Sequence, residues 1–172
     1  MVPRSPTPRA ALVLFNISKV RNLGQLIRTA DALGAGELAV VGRREYRTHG
    51  AFGTGRGLTT RHFYTPEDAA TDLRKRGYRL AAVEIVADAR PVHEQPFSGP
   101  TAFLVGNEGQ GLGTRELELC DEAVYVPQYG SGRSLNVNVA ASIVLHHFAL
   151  WAGLHENARD GDGFAPAERD QT

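Results

Sequence analysis

Arg28 lies on a stretch of helical spacing, beside apolar neighbours and away from the fully polar face. A guanidinium there costs free energy unless it meets a carboxylate or a phosphate. It is therefore either half of an ion pair or a grip for an anion. The stretch around it, residues 16–34, also holds Asn22, where a helix N-cap is needed, and Gly24, which lets another backbone come close. Residues 104–112 read Leu-Val-Gly-Asn-Glu-Gly-Gln-Gly-Leu, an apolar strand run ending in three glycines around the carboxylate of Glu108. Such loops at strand carboxyl ends are where open α/β sheets bind ligands, and their free N–H and C=O groups suit an adenine or ribose edge. The spacing Gly-x-x-Gly-x-Gly differs from the dinucleotide fingerprint, and a plain strand–turn–helix connector would look similar. Residues 124–141 repeat the scheme: a strand run, the Gly/Ser-rich loop 127–134, then a helix. Ser134 and Asn136 stand at that helix entrance, where capping is the default role and facing a ligand is the other.

These segments need elements to hold them. Residues 11–15, 38–41, 62–64, 78–86, 102–105 and 123–126 read as strands. Helices are expected near residues 23–33, 66–76, 114–120 and 135–151, the last burying Val137, Ala140, Ala141, Val144, Leu145 and Phe148. Alternation of this kind implies an α/β fold with a mainly parallel sheet flanked by helices. Residues 1–10, with three prolines, read as a flexible arm, residues 11–154 as the single domain, and residues 155–172 as a disordered tail.

Bulk composition narrows the class. The 172 residues suit one domain, and 42% hydrophobic with 22% charged residues is ordinary for a globular protein. No apolar run is long enough to span a membrane, and no secretory signal opens the chain. Cys120 is the lone cysteine, which excludes an intrachain disulfide and points to a reducing, cytoplasmic compartment. The formal net charge is zero, yet residues 1–90 carry 15 Lys/Arg against 8 Asp/Glu, +7, leaving 4 against 11, −7, for residues 91–172. Arg43, Arg44, Arg47, Arg56 and Arg61 face only Glu45 within the 43–61 region, a surface fit for phosphates or simply a solvated basic face. His146 and His147 are adjacent and so point to different helix faces, which suits packing rather than a shared metal ion, and Tyr125 and Tyr129 read as core or interface.

Taken in order, the three segments resemble the three motifs of SpoU/TrmH-type RNA ribose 2′-O-methyltransferases of the SPOUT superfamily. The matching residues are Asn-x-Gly-x-x-x-Arg-Thr-Ala-Asp-Ala-x-Gly from Asn22, Gly-Asn-Glu-Gly-x-Gly-Leu from Gly106, and Val-Pro-x-x-Gly-x-x-x-Ser-Leu-Asn-Val-x-Val-Ala-Ala from Val126. The resemblance spans about residues 16–150. It implies a trefoil-knotted α/β domain, S-adenosylmethionine bound in the knot, and a homodimer whose interface completes the site. It puts catalytic positions at Arg28, Glu108, Ser134 and Asn136, and cofactor contacts at Leu104, Gly106, Asn107, Gly109, Val126, Gln128, Ser134 and Leu135. RNA, transfer or ribosomal and not DNA, would meet Asn22, Arg28, Arg43, Arg44, Arg47, Arg56 and Arg61, with Glu108 fixing Arg28. No separate RNA-binding domain is expected ahead of the catalytic one, and the Asp-Pro often found before Arg21 is missing. Two other activities fit the same scaffold: methylation of a base nitrogen, and RNA binding without catalysis. A non-enzymatic dimeric scaffold would leave the basic region unexplained.

Overall fold

Apolar side chains fill every place along the first strand, and their alternation decides how the sheet is covered. In β1 (Ala10–Phe15), Ala10, Leu12 and Leu14 point into one core layer, while Ala11 and Val13 point into the other. A strand buried on both faces requires helices on both sides of the sheet, the arrangement of parallel α/β folds. The computed structural model, which describes residues 7–42, 58–161 and 163–164, has that form.

Seven strands make one sheet among the described residues, in the order β3-β2-β1-β6-β4-β7-β5, with every neighbouring pair parallel. They are β1, β2 (Glu37–Val41), β3 (Thr59–Phe63), β4 (Arg79–Val83), β5 (Arg90–Pro91), β6 (Thr101–Val105) and β7 (Glu122–Tyr125). Helices α1 (Val20–Ala32) and α4 (Val137–Ala152) cover one face through Leu23, Leu26, Ile27 and Ala30, and through Ala141, Val144, Leu145 and Phe148. On the opposite face α2 (Pro66–Lys75) supplies Ala69, Ala70 and Leu73, with α3 (Thr114–Glu118) beside it through Leu117. Phe97, Phe103, Phe148 and Trp151 meet at ring-centroid distances of 5.3 to 5.6 Å, locking the end of α4 to the sheet. Edge contacts of this kind add about 0.5–1.5 kcal/mol each beyond simple burial.

Several boundaries differ from those expected. The strand expected at residues 62–64 runs over Thr59–Phe63, because pairing with β2 from Glu37↔Thr59 to Val41↔Phe63 sets its length rather than apolarity. The one expected to reach residue 86 stops at Val83. Arg90–Pro91 forms a two-residue edge strand, a place where a proline is tolerated, and a 3-10 turn over Val92–Glu94 follows it. Residues 155–172, expected to lack structure, contain a short hairpin of β8 (Arg159–Asp160) and β9 (Gly163–Phe164). Among the described residues no helix is long and apolar enough to cross a membrane. None of them form a His/Cys/Asp/Glu group able to hold a metal ion.

Candidate active site at the carboxyl ends of the sheet

Parallel strands bring all their carboxyl ends to one edge, and the loops that leave β4, β6 and β7 meet there. They enclose a cavity of about 650 Å³, within the roughly 300–1,000 Å³ typical of small-molecule sites. Its lining comes from residues 83–86 at the end of β4, 105–112 at the end of β6, and Tyr125, Val126, Gln128 and residues 134–137 at and beyond the end of β7, with Lys19 at the start of α1 and Ala140 from α4.

The loop after β6 lies very close to its own strand. A Cβ on Gly106 would sit 2.4 Å from the carbonyl oxygen of Gly111, so only glycine fits while the loop folds back. Asn107 holds the loop in that shape. Its side-chain oxygen accepts from the N–H groups of Gly109 at 2.8 Å and Gln110 at 3.2 Å, and its amide donates to the Asn16 carbonyl at 3.0 Å. The cavity wall there is backbone, with polar groups already oriented.

Glu108 is the junction of the site. Its carboxylate accepts from the N–H and hydroxyl of Ser18 at 3.1 and 2.8 Å, from the N–H of Lys19 at 3.1 Å, and from the Asn22 amide at 2.7 Å. Burial pushes its pKa up, but hydrogen bonds from Asn22, the backbone and Ser18 outweigh that and hold the carboxyl at about 2. Lys19, whose side chain makes no cap, is the N-cap of α1, so Glu108 serves the helix start from another loop. Asn22 is therefore not the cap expected from sequence. It lies in the first turn, 5% exposed, and turns its side chain inward.

The third segment joins through Asn136. Its amide donates to the Asn22 side-chain oxygen at 3.4 Å, and its own oxygen accepts from the N–H of Asn138 at 2.9 Å, capping α4. Thr29 on α1 donates to Asn138 on α4 at 2.8 Å, so the two helices stay in register beside the cavity. Residues distant in sequence, Asn22, Glu108 and Asn136, thus form one hydrogen-bonded row.

The positions expected to contact a cofactor fall as follows. Gly106, Asn107, Gly109, Val126, Gln128, Ser134 and Leu135 line the cavity, as do Glu108 and Asn136. Leu104 does not: it is 2% exposed and points away into the α2-side core, since alternation along β6 sends its neighbours to the other face. Arg28 is exposed, outside the lining, and has no ion-pair partner among the described residues. Glu108 does not fix it within the chain, because the four donors of α1 and its approach occupy that carboxylate. Arg61 reaches Glu37 at 3.4 Å near the amino end of the sheet, a carboxylate shared with Arg76. Arg61 is therefore engaged in an ion-pair cluster away from the cavity. Arg43, Arg44, Arg47 and Arg56 lie outside the described residues. Tyr125 lines the cavity, while Tyr129 is 93% exposed and so belongs to no core of this chain. Sequence reasoning missed residues 83–86 and Lys19. The signal for the former was Glu84, a carboxylate inside what reads as an apolar strand.

The SpoU rRNA methylase family matches residues 9–146 of this sequence. The chain belongs to that family. It is 32% identical over 164 residues to a tRNA (guanosine(18)-2′-O)-methyltransferase of Thermus thermophilus, covering 92% of this chain and 84% of that one. With a 23S rRNA (guanosine(2553)-2′-O)-methyltransferase of Bacillus subtilis it shares 36% identity over 149 residues, 82% of this chain and 58% of the relative. Among solved family members, the SpoU methyltransferase AviRb from Streptomyces viridochromogenes in complex with the cofactor AdoMet superposes with a TM-score of 0.74 at 27% identity, over 87% of this chain and 60% of that one.

The depressed pKa of Glu108 has a consequence for acid stability. A carboxyl whose pKa is lower in the folded chain contributes stability that is complete above the unfolded value of 4.5 and is lost as pH falls toward 2. Glu108→Gln is expected to lower the thermal unfolding midpoint at neutral pH and to reduce the further loss between those two pH values. Melting curves across that range test it, and a variant tracking the parent at every pH would contradict it.

Proposed function

We infer that this chain transfers a methyl group from S-adenosylmethionine to a ribose 2′-hydroxyl of transfer or ribosomal RNA, acting as a homodimer. The observation that carries the reading is the row Glu108–Asn22–Asn136, which draws the three motif segments around one cavity at the carboxyl ends of β6, β4 and β7.

The cavity fits the cofactor on its own features. Apolar Val86, Leu112, Val126 and Leu135 offer walls for a flat base, and the glycine-bearing loop brings backbone groups to its edge. Gly106, Gly109, Val126, Gln128, Ser134 and Leu135 would hold it. Bound there, S-adenosylmethionine supplies an electrophilic methyl group on sulfonium. The chain's own task is to present the sugar. A guanidinium is not deprotonated in proteins, so the role read for Arg28 is not that of a free base. With no carboxylate partner among the described residues, its guanidinium is available to grip the phosphate next to the target sugar and orient the hydroxyl. The phosphate so held would take the hydroxyl proton and pass it to water, leaving the 2′-oxygen to accept the methyl group that the cofactor would supply. Arg43, Arg44, Arg47 and Arg56 extend the phosphate contact and make affinity salt-dependent. The compartment we infer is the cytoplasm, where RNA is met and where Cys120, its thiol pushed up by burial to about 12, stays reduced.

The dimer is supported by α4. Val139 and Leu150, eleven residues apart on one face of α4 with exposed His146 between them, are exposed, so two large apolar side chains have no cover among the described residues. The trefoil knot belongs to the same reading, with residues 127–137 threaded beside the loop after β6. A crystallographic trace in which that segment passes unthreaded would exclude it.

Three experiments test these assignments. Incubation with RNA and methyl-labelled S-adenosylmethionine is expected to yield one labelled nucleotide that resists alkaline cleavage. Arg28→Ala should lower turnover about a hundredfold, as loss of a positioning charge does, with affinity for S-adenosylmethionine within twofold of the parent. Turnover within a few-fold of the parent, or a label on a base, would contradict the reading. Val139→Glu with Leu150→Glu should give a monomer in sedimentation, and a dimer that persists would rule out α4 as the interface.

A further inference from the structure

We propose that Glu84 is the residue that holds the ribose hydroxyls of the cofactor, and so selects a ribonucleoside donor. The proposal rests on the reading of the cavity as the S-adenosylmethionine site. Glu84 follows directly on the last residue of β4 and lines the cavity. One carboxylate oxygen accepts from the N–H of Ile85 and the other from the N–H of Leu112, each at 3.0 Å. A carboxylate has about four lone-pair sites, and only two donors reach it among the described residues. Half of its accepting capacity is therefore open at a cavity wall. Glu108, the other acid of the lining, is occupied by four donors.

The loop is shaped around this carboxylate. Gly111 has φ +67, and a Cβ there would lie 2.4 Å from the Glu84 oxygen. A side chain at position 111 would expel the carboxylate from under the loop. Around Glu84 the lining is apolar, with Val83, Ile85, Val86 and Leu112. An isolated acceptor among apolar walls suits a neutral donor next to a base. The charged amino-acid end of the cofactor is better served by Lys19, the cation of the lining. In a nucleoside the sugar joins base to charged substituent, and a vicinal diol offers two O–H donors to one carboxylate. An acidic side chain on ribose hydroxyls is a known solution at the carboxyl ends of parallel strands.

The test is calorimetric. S-adenosylmethionine, S-adenosylhomocysteine and the 2′-deoxy and 3′-deoxy forms of S-adenosylhomocysteine are titrated into the parent, Glu84→Ala and Glu84→Gln. The parent should bind at least one deoxy form about tenfold more weakly than the ribo form. Glu84→Ala should weaken S-adenosylmethionine and S-adenosylhomocysteine alike by about tenfold or more and erase the ribo-over-deoxy preference. Glu84→Gln, which keeps one acceptor and the same shape, should fall between the two. The comparison within the parent needs no variant to fold. A parent that binds ribo and deoxy forms equally overturns the proposal. So does a Glu84→Ala protein that keeps the preference while losing affinity, which would mean that Glu84 only props the loop through Leu112. Selective loss of S-adenosylmethionine with S-adenosylhomocysteine unaffected also overturns it, because the carboxylate would then answer the sulfonium charge. If the parent binds neither compound, the cofactor reading falls and takes this proposal with it, whereas unaltered binding by Glu84→Ala removes the proposal alone.

Discussion

One carboxylate with four donors holds the site together. Glu108 comes from the loop after β6, yet four donors that its carboxylate accepts from belong to residues 18–22 at the start of α1. Those N–H groups belong to a helix start that has no side-chain cap of its own. An ionised acid at that place satisfies them and meets the positive end of the helix dipole. Asn22 passes the connection on to Asn136, and Asn136 caps α4. The position of both helices of one layer is thereby tied to a single loop. Arg28, two turns into α1, inherits its place from that attachment.

The second constraint is backbone crowding. A parallel sheet delivers three neighbouring strand ends, β6, β4 and β7, to the same edge. The loop after β6 can fold back over its strand only because Gly106 and Gly111 present no Cβ to what lies against them. Hydrogen bonds within the loop, centred on Asn107, then fix its shape. The result is a cavity walled in part by main chain, whose loop is held in shape before any ligand arrives.

Much of this was legible in the residues. The two-sided burial of β1 follows from six apolar residues in a row, and α1 from the spacing of Leu23, Leu26, Ile27 and Ala30. The three glycine- and asparagine-bearing turns announced a site, and their convergence is what the fold provides. Other features depend on partners far away in sequence. Asn22 resembles an N-cap because nothing local reveals that Glu108, 86 residues on, takes that task. Leu104 borders the loop in sequence but alternation buries it. Arg61 reads as a phosphate contact until Glu37 is found beside it. Glu84 was absorbed into a strand, since a lone acid in an apolar run has no periodicity to betray it.

The cavity keeps its shape because the row of Glu108, Asn22 and Asn136 holds its three loops. Asn22 does not line the cavity, so it tests the row and not direct contact. Titration calorimetry of S-adenosylmethionine into Asn22→Ala, compared with the parent, measures it. The account predicts affinity at least about tenfold weaker, as loss of a hydrogen bond to a charged group implies, in a protein that still folds. Affinity equal to the parent's would mean that the loops hold their shape without the row.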